Sequence, residues 1–266
     1  MKRSLRRALL GAAALAVPVV CVVLLDRFFP PPLGRLEDLS TAVVDRTGAP
    51  LRFFTTRDGF WRLPVTLDDV APLYLELLVA VEDRRFEAHP GVDPVAVARA
   101  VAENLAAGRT VSGASTLTMQ LARLLEPRPR TLASKLLEAL RALQLEARYD
   151  KARILEMYLT LAPFGGNLEG LRAASLAYLG KEPRALTAGE AALLVALPRS
   201  PTLLRPDRHP EAAARARERA LGRGLAAGVV DVRTVAEAGA EPVPVGRVPW
   251  PFLAPHLAER LRGESP

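Results

Sequence analysis

From Pro72 to about residue 227 the sequence is a succession of helix-compatible segments separated by short breaks of Pro, Gly, Ser and Thr, and that rhythm constrains the fold more than any other feature. Pro72 to Val81 is an apolar helical run. Asp93-Pro94 places an N-cap residue before a proline at the first helical position and opens a helix to about Leu105. The small-residue segment from Gly108 to Ala114 then reads as a mobile loop. Ser115 is placed to cap the next helix, on which Thr116, Gln120 and Arg123 follow at turn spacing. From Thr131 to about Tyr149, Leu136, Leu140, Leu143 and Ala147 share one helical face, with Lys135, Glu138 and Arg141 opposite. An ordinary i, i+3 ion pair between Lys135 and Glu138 would explain those two charges equally well. Asp150 opens a further helix, ended by Pro163-Phe164-Gly165-Gly166. Thr187-Ala188-Gly189-Glu190 is a capping box ahead of Ala191 to Leu197, and Pro210 to Leu221 is a basic amphipathic helix with Gly222 as its stop. The expected fold class is mainly α.

The two ends differ from this middle. Ala8 to Leu25 carries no charge over roughly 18 positions, about the minimum for a membrane-spanning helix, and follows Lys2, Arg3, Arg6 and Arg7. The positive flank predicts a cytoplasmic N-terminus, with everything after Asp26 outside. A cleaved signal peptide is the alternative, although no small-x-small site closes the segment. Cys21 is the single cysteine, so no disulfide forms within one chain. Thr41 to Phe54 reads as two short strands around a turn. Beyond Glu241 five prolines, from Pro242 to Pro255, read as a linker or tail. The expected organisation is a tail and transmembrane anchor over 1–27, a membrane exit and β-hairpin over 28–70, a helical domain over 71–240 and a Pro-rich tail over 241–266.

With 266 residues, half of them hydrophobic, the chain can bury a sizeable core, and its formal net charge of +7 favours an anionic partner. That partner is nucleic acid, anionic lipid or a phosphorylated substrate, and the anchor turns the choice away from nucleic acid. His89, His209 and His256 are scattered, so no metal signature is present, and no nucleotide-binding glycine pattern is found.

The chemistry concentrates in Val81 to Asp93, where Glu82, Asp83, Phe86, His89 and Asp93 fall within thirteen residues after the first apolar helix. A carboxylate at the mouth of such a helix stands where desolvation suits it to exchange a proton near neutral pH, which makes Glu82 the candidate base. Taken alone, the stretch is equally a self-compensating surface run of Glu-Asp-Arg-Arg.

Four stretches resemble, in order and spacing, the motifs of the peptidoglycan glycosyltransferases, glycosyltransferase family 51. They are Glu82-Asp83-x-x-Phe86-x-x-His89-x-Gly91-x-Asp93, Gly113-Ala114-Ser115-Thr116-Leu117-Thr118-Met119-Gln120-Leu121, Lys135-x-x-Glu138 and Ile154-Leu155-Glu156-x-Tyr158-Leu159. The resemblance spans about residues 40 to 255 and is nearest to the N-terminal domain of the C-type class A penicillin-binding proteins. It implies a lysozyme-like domain on the outer side of the cytoplasmic membrane, polymerising lipid II and releasing undecaprenyl pyrophosphate. By motif position Glu82 is then the general base and Glu138 the second, donor-side carboxylate. Asp83, Phe86, His89, Ser115, Thr116, Gln120, Arg123 and Lys135 hold substrate, with Arg130 as a further cation. Two separated carboxylates with different surroundings suit an inverting displacement, and a pyrophosphate leaving group needs positive charge more than a proton. No cofactor is required, and a divalent cation, Mg or Mn, is expected at most as an aid to the pyrophosphate. The implied partners are lipid II, the growing lipid-linked strand, the membrane, and a separate transpeptidase or other cell-wall synthesis proteins.

Three features depart from the family pattern. Arg123-Leu124 stands where Lys-Asn is usual, and Ser134 replaces the arginine before Lys135. No Ser-x-x-Lys with a downstream Lys-Thr-Gly follows, so acyl transfer is not expected of this chain, whether it is naturally monofunctional or the front of a longer protein. Ser134 and Leu124 motivate an alternative, a non-catalytic lipid II-binding scaffold, which retention of both Glu82 and Glu138 opposes. The lysozyme likeness suggests a muramidase, which the anchor and the cations fit poorly.

Overall fold

The computed structural model describes residue 20, residues 26–109 and residues 113–264. The chain divides into two compact units, one comprising Ala88–Ile154 with the described part of Met1–Leu33, the other Gly34–Glu87 with Leu155–Pro266. Among the described residues no helix is long and apolar enough to cross a membrane, and the anchor expected over Ala8–Leu25 lies, apart from Val20, outside them. Residues 110–112 of the loop expected over Gly108 to Ala114 also lie outside.

The second unit begins with strands β1 (Thr41–Val44) and β2 (Pro50–Phe54), paired antiparallel, and β3 (Trp61–Arg62). The hairpin turn is closed by Asp45, whose Oδ1 accepts from the backbone N–H groups of Thr47 at 2.8 Å and Ala49 at 3.0 Å. Helix α1 (Pro72–Glu82) follows, with Tyr74, Leu77 and Leu78 fully buried.

The first unit holds α2 (Pro94–Ala107), α3 (Leu117–Leu125) and α4 (Leu132–Arg148), and the division between units falls within α5 (Lys151–Leu161). Asp93 caps α2, accepting from Val95 N at 2.9 Å. Thr116, rather than the expected Ser115, caps α3, its Oγ1 accepting from Met119 N at 3.1 Å. Ser115 lies one residue too early for that geometry. In this unit Arg148 Nε reaches Asp26 Oδ1 at 2.5 Å and Gln144 Nε2 reaches Phe29 O at 3.1 Å, tying the segment before Leu33 to α4.

The second unit resumes with β4 (Pro163–Gly165) and β5 (Leu168–Glu169), which complete a three-stranded sheet of order β3-β5-β4. Arg62 on β3 is fully buried and its Nε and Nη2 donate to Glu169 Oε2 at 2.8 and 2.5 Å, while Nη1 donates to Asp38 O at 2.6 Å. A buried guanidinium so fully bonded fixes this sheet edge in one register. Helices α6 (Leu171–Leu179), α7 (Ala188–Ala196), α8 (Pro210–Ala226), α9 (Val232–Ala240) and α10 (Pro255–Glu264) complete the unit. Ala191 to Ala196 are all buried, so α7 is apolar all round and forms the centre against which α1 and α8 pack. The capping box of Thr187 and Glu190 starts it as the sequence predicts.

Two expectations fail here. The helix α8 runs through Gly222 to Ala226, because Gly222 stands in open space at a helix-propensity cost of about 1 kcal/mol, whereas Gly224 in the turn beyond it is buried against α1. A Cβ on Gly224 would lie 2.5 Å from Leu77 Cδ2, so the glycine permits the close approach of α8 and α1. The Pro-rich segment beyond Glu241 does not behave as a detached tail. Trp250 stacks on Trp61 with ring centroids 4.6 Å apart, Val248 N donates to Ala177 O at 2.8 Å, Leu253 N donates to Leu51 O at 2.9 Å, and Ala258 of α10 is buried with Val43 and Phe54. Proline removed donors from this stretch but left an aromatic anchor that composition alone conceals.

Candidate active site

Glu82 is the last residue of α1. The helix stops there because Asp83 takes φ −157° and ψ 75°, and Phe86 N then bonds Asp83 O at 3.0 Å to start a single 3-10 turn. Asp83 and Phe86 are buried. The Glu82 side chain is 8% exposed, and its Oε1 accepts from Arg199 Nε at 2.7 Å, a guanidinium that is itself 47% exposed. Just over two turns back on the same helix, Tyr74 is completely buried, and its hydroxyl has no hydrogen-bond partner among the described residues. Burial pushes that hydroxyl well above the ordinary tyrosine value, with Tyr158 and then Glu82 adding to it, so Tyr74 is a neutral neighbour of the carboxylate.

The motif residues from His89 to Glu138 fall in the first unit, and several of them are bonded to one another. His89 is buried, its Nδ1 accepts from Gly91 N at 3.2 Å, and its carbonyl accepts from Lys151 Nζ at 2.7 Å. Lys151 Nζ also meets Glu146 Oε1 at 2.8 Å, and Thr118 Oγ1 donates to the same oxygen at 2.6 Å. Gly91 has φ +94°, and a Cβ there would sit 2.8 Å from Ala142 O, so only glycine lets this loop lie against α4. Thr116 Oγ1 donates to Gly91 O at 2.5 Å, linking the first motif to the second. Lys135 Nζ bonds Ser115 Oγ, linking the second to the third. Lys135 therefore reaches across to Ser115 rather than along its helix to Glu138. Gln120, Arg123 and Glu138 are half-buried, and among the described residues neither Arg123 nor Glu138 has a hydrogen-bond or ion-pair partner.

Sequence reasoning missed Arg199, which sits in the 3-10 turn Leu197–Arg199 after α7, and Arg219 and Arg223, which stand one helical turn apart on α8. The i, i+4 spacing of two arginines on a basic helix is the signal that pointed to them. It missed Lys151 and Glu146 as well, and those leave no mark beyond their charge.

Residues 48–224 match the family described as Transglycosylase. The chain belongs to that family. It is 48% identical over 240 residues to penicillin-binding protein 1C of Escherichia coli strain K12, covering 90% of this chain and 31% of that protein. It is 38% identical over 223 residues to penicillin-binding protein 1A of Aquifex aeolicus strain VF5, covering 84% and 29% respectively. The chain thus spans less than a third of the length of these curated relatives. A crystal structure of penicillin-binding protein 1A from Haemophilus influenzae superposes with a TM-score of 0.46 at 18% identity, over 85% of this chain and 24% of that one.

Proposed function

We propose that the chain is a peptidoglycan glycosyltransferase with a lysozyme-like catalytic domain, polymerising lipid II on the outer face of the cytoplasmic membrane from a single N-terminal anchor. The observation that carries this reading is the family match over residues 48–224, a span that contains Glu82, Glu138, Lys135 and Ser115 with their motif spacing intact.

In the proposed reaction Glu82 takes the proton from the 4-hydroxyl of the incoming lipid II, and that oxygen forms a bond to the donor's anomeric carbon. The bond from that carbon to the phosphate oxygen breaks, and undecaprenyl pyrophosphate leaves with the electron pair. Lys135 and Arg123 supply the positive charge that a pyrophosphate needs as its negative charge develops, with Arg130 as a further cation. Ser115 and Gln120 bond the sugar and phosphate groups, and Glu138 stabilises the donor half. Asp83, Phe86, His89 and Thr116 are buried and bonded within their loops, so we assign them to holding the motifs in place rather than to contact with sugar. Ser134 bonds Thr131 Oγ1 through its backbone N–H as part of the α4 cap, which suits a structural use of that departure from the family pattern.

Among the described residues no group of three His, Cys, Asp or Glu side chains could hold a metal ion. Every step above runs through side chains. A cation that assists would arrive with the pyrophosphate.

The membrane setting is supported by unit one. Val95, Val97, Val101 and Leu105 of α2 are 40–78% exposed, and Leu132 and Leu136 of α4 are 91% and 66% exposed. Exposed apolar positions on two helices suit contact with lipid, and the bonds from α4 to Asp26 and Phe29 hold it to the segment that follows the expected anchor. Cross-linking of the strands would fall to a transpeptidase.

The test is polymerisation of fluorescent lipid II by the detergent-purified chain, read on a gel beside Glu82→Gln. Ladders from the wild type alone support the enzyme and its base. Lipid II binding with no ladder from either chain would overturn the enzyme reading in favour of a scaffold, and soluble muropeptides released from sacculi would make it a muramidase.

A further inference from the structure

The ion pair between Glu82 and Arg199 bears on any base at this position, because one of the two carboxylate oxygens, Oε1, is already bonded to a guanidinium at 2.7 Å. Beside the pair, the second unit contains a cleft of about 250 Å³ lined by Arg199, Arg219 and Arg223, with Ser200, Val81 and Leu204. It is smaller than the roughly 300–1,000 Å³ of drug-sized ligand sites, and its three guanidiniums suit a compact, highly charged group. Arg219 and Arg223 have no hydrogen-bond or ion-pair partner among the described residues, and Glu82, bonded to Arg199, is the carboxylate whose charge Arg223 feels. The Arg223 guanidinium is held below the ordinary arginine value first by burial and then by the charge of Arg199, with Glu82 opposing and Arg219 and Arg84 adding. Three like charges crowded around one carboxylate gain from a second anion.

We propose that Arg199, Arg219 and Arg223 form a phosphate-binding cleft whose occupation draws Arg199 off Glu82, so that the anionic substrate uncovers the base that acts on it. Arg199 is suited to the exchange because it is 47% exposed while Glu82 is only 8% exposed, which leaves the guanidinium free to swing and the carboxylate fixed at the end of α1. The ligand is a phosphate ester or pyrophosphate, and on the reading above, on which this inference rests, it is the pyrophosphate of a lipid II molecule. Arg199 acts through Glu82 and is a positioning residue. Without the anion it holds the carboxylate bonded, and with the anion it becomes part of the binding site. A ligand can move such an equilibrium only by as much as it prefers one state, so the pair and the cleft must be thermodynamically coupled.

The experiment is calorimetric titration of the full detergent-solubilised chain with inorganic pyrophosphate, in the wild type and in the variants named next. Arg219→Ala with Arg223→Ala should weaken binding about tenfold or more, equivalent to ~1.4 kcal/mol, whereas Arg219→Lys with Arg223→Lys should retain most of it and report that the fold is intact. Glu82→Gln should tighten binding several-fold by releasing Arg199. In an Arg199→Ala background that gain should disappear, which separates the latch from the general benefit of removing a negative charge. An undiminished gain without Arg199, no gain from Glu82→Gln, or unchanged affinity in the double alanine variant would each overturn the proposal. Competition settles the source of the phosphate: micellar lipid II should displace pyrophosphate, and equal displacement by phosphatidylglycerol micelles would overturn the assignment to substrate. The two readings fail separately. A wild type that never polymerises lipid II but shows the full coupling removes the proposed enzyme and leaves an anion-operated latch, and the converse removes only the latch.

Discussion

The two carboxylate-bearing helices are held in opposite ways. Helix α1, which ends in Glu82, is packed by α7 and α8 with Tyr74, Leu77 and Leu78 at zero exposure, and its carboxylate is bonded to Arg199. Helix α4, which carries Glu138, is buried through Ala142, Gln144 and Leu145 in its second half, whereas its first turns present Leu132 and Leu136 to the outside. One carboxylate stands on a fixed pillar, the other near the free end of a helix anchored at its far end. A base that must meet a hydroxyl oxygen at one distance gains from the first arrangement. On the function proposed above, a donor site through which a lengthening lipid-linked strand slides gains from the second.

Changes to α1 and α4 should therefore separate chemistry, folding and surface contact. The largest effect belongs to Glu82→Gln, which should lower polymerisation by about 10²–10⁴-fold, the usual contribution of a general base, with an unchanged thermal melt. Retained turnover near the wild-type rate would break the assignment. Next, Leu77→Ala should destabilise the chain by about 2–5 kcal/mol, because the side chain is fully buried and faces Gly224 on α8. Denaturant titration measures this, and a cost below 1 kcal/mol would show that α1 is less firmly seated than described. Glu138→Gln should slow turnover by about 10²-fold while leaving the melt alone, and near-normal kinetics would remove Glu138 from the reaction. Leu136→Asp should change stability by no more than about 0.5 kcal/mol yet reduce co-sedimentation with liposomes, and equal sedimentation would detach α4 from the lipid surface. The smallest effect is an acid one in the second unit. Asp207 is held below the usual carboxylate range, first by its hydrogen bond from Arg205, with Arg247 adding. Its contribution is present above the unfolded value of 3.8 and disappears as pH falls through the lower folded value. Asp207→Asn should flatten the acid limb of the stability profile, and an identical profile would show that the pair adds nothing.

Much of this was legible in the chain. The helix starts at Pro72, Asp93 and Thr187 follow from local chemistry, since a proline at the first position or an Asx, Ser or Thr cap acts within a few residues. Glu82 and Lys135 were singled out by the resemblance of their motifs to the family, not by local chemistry alone. The Gly222 stop failed because tertiary packing of Gly224 against Leu77 outweighs a local propensity. The Pro-rich tail failed because its partners, Trp61 and Ala177, lie far away in sequence. The pairing of Arg199 with Glu82 was invisible for that reason too. Arg199 is 117 residues from its partner, and no periodicity joins a turn after α7 to the end of α1.

The stack of Trp61 on Trp250 has a spectroscopic consequence. The chain has two tryptophans and both are in that stack, so its selectively excited tryptophan emission is a signal of one place, the docking of the C-terminal segment onto the strands. Light from this protein reports the undocking of residues 248–258 and stays silent about a local rearrangement at α4. Unfolding followed by fluorescence alone will consequently look simpler than the molecule is, and a second probe placed on α4 will show whether its loosely held end melts on its own.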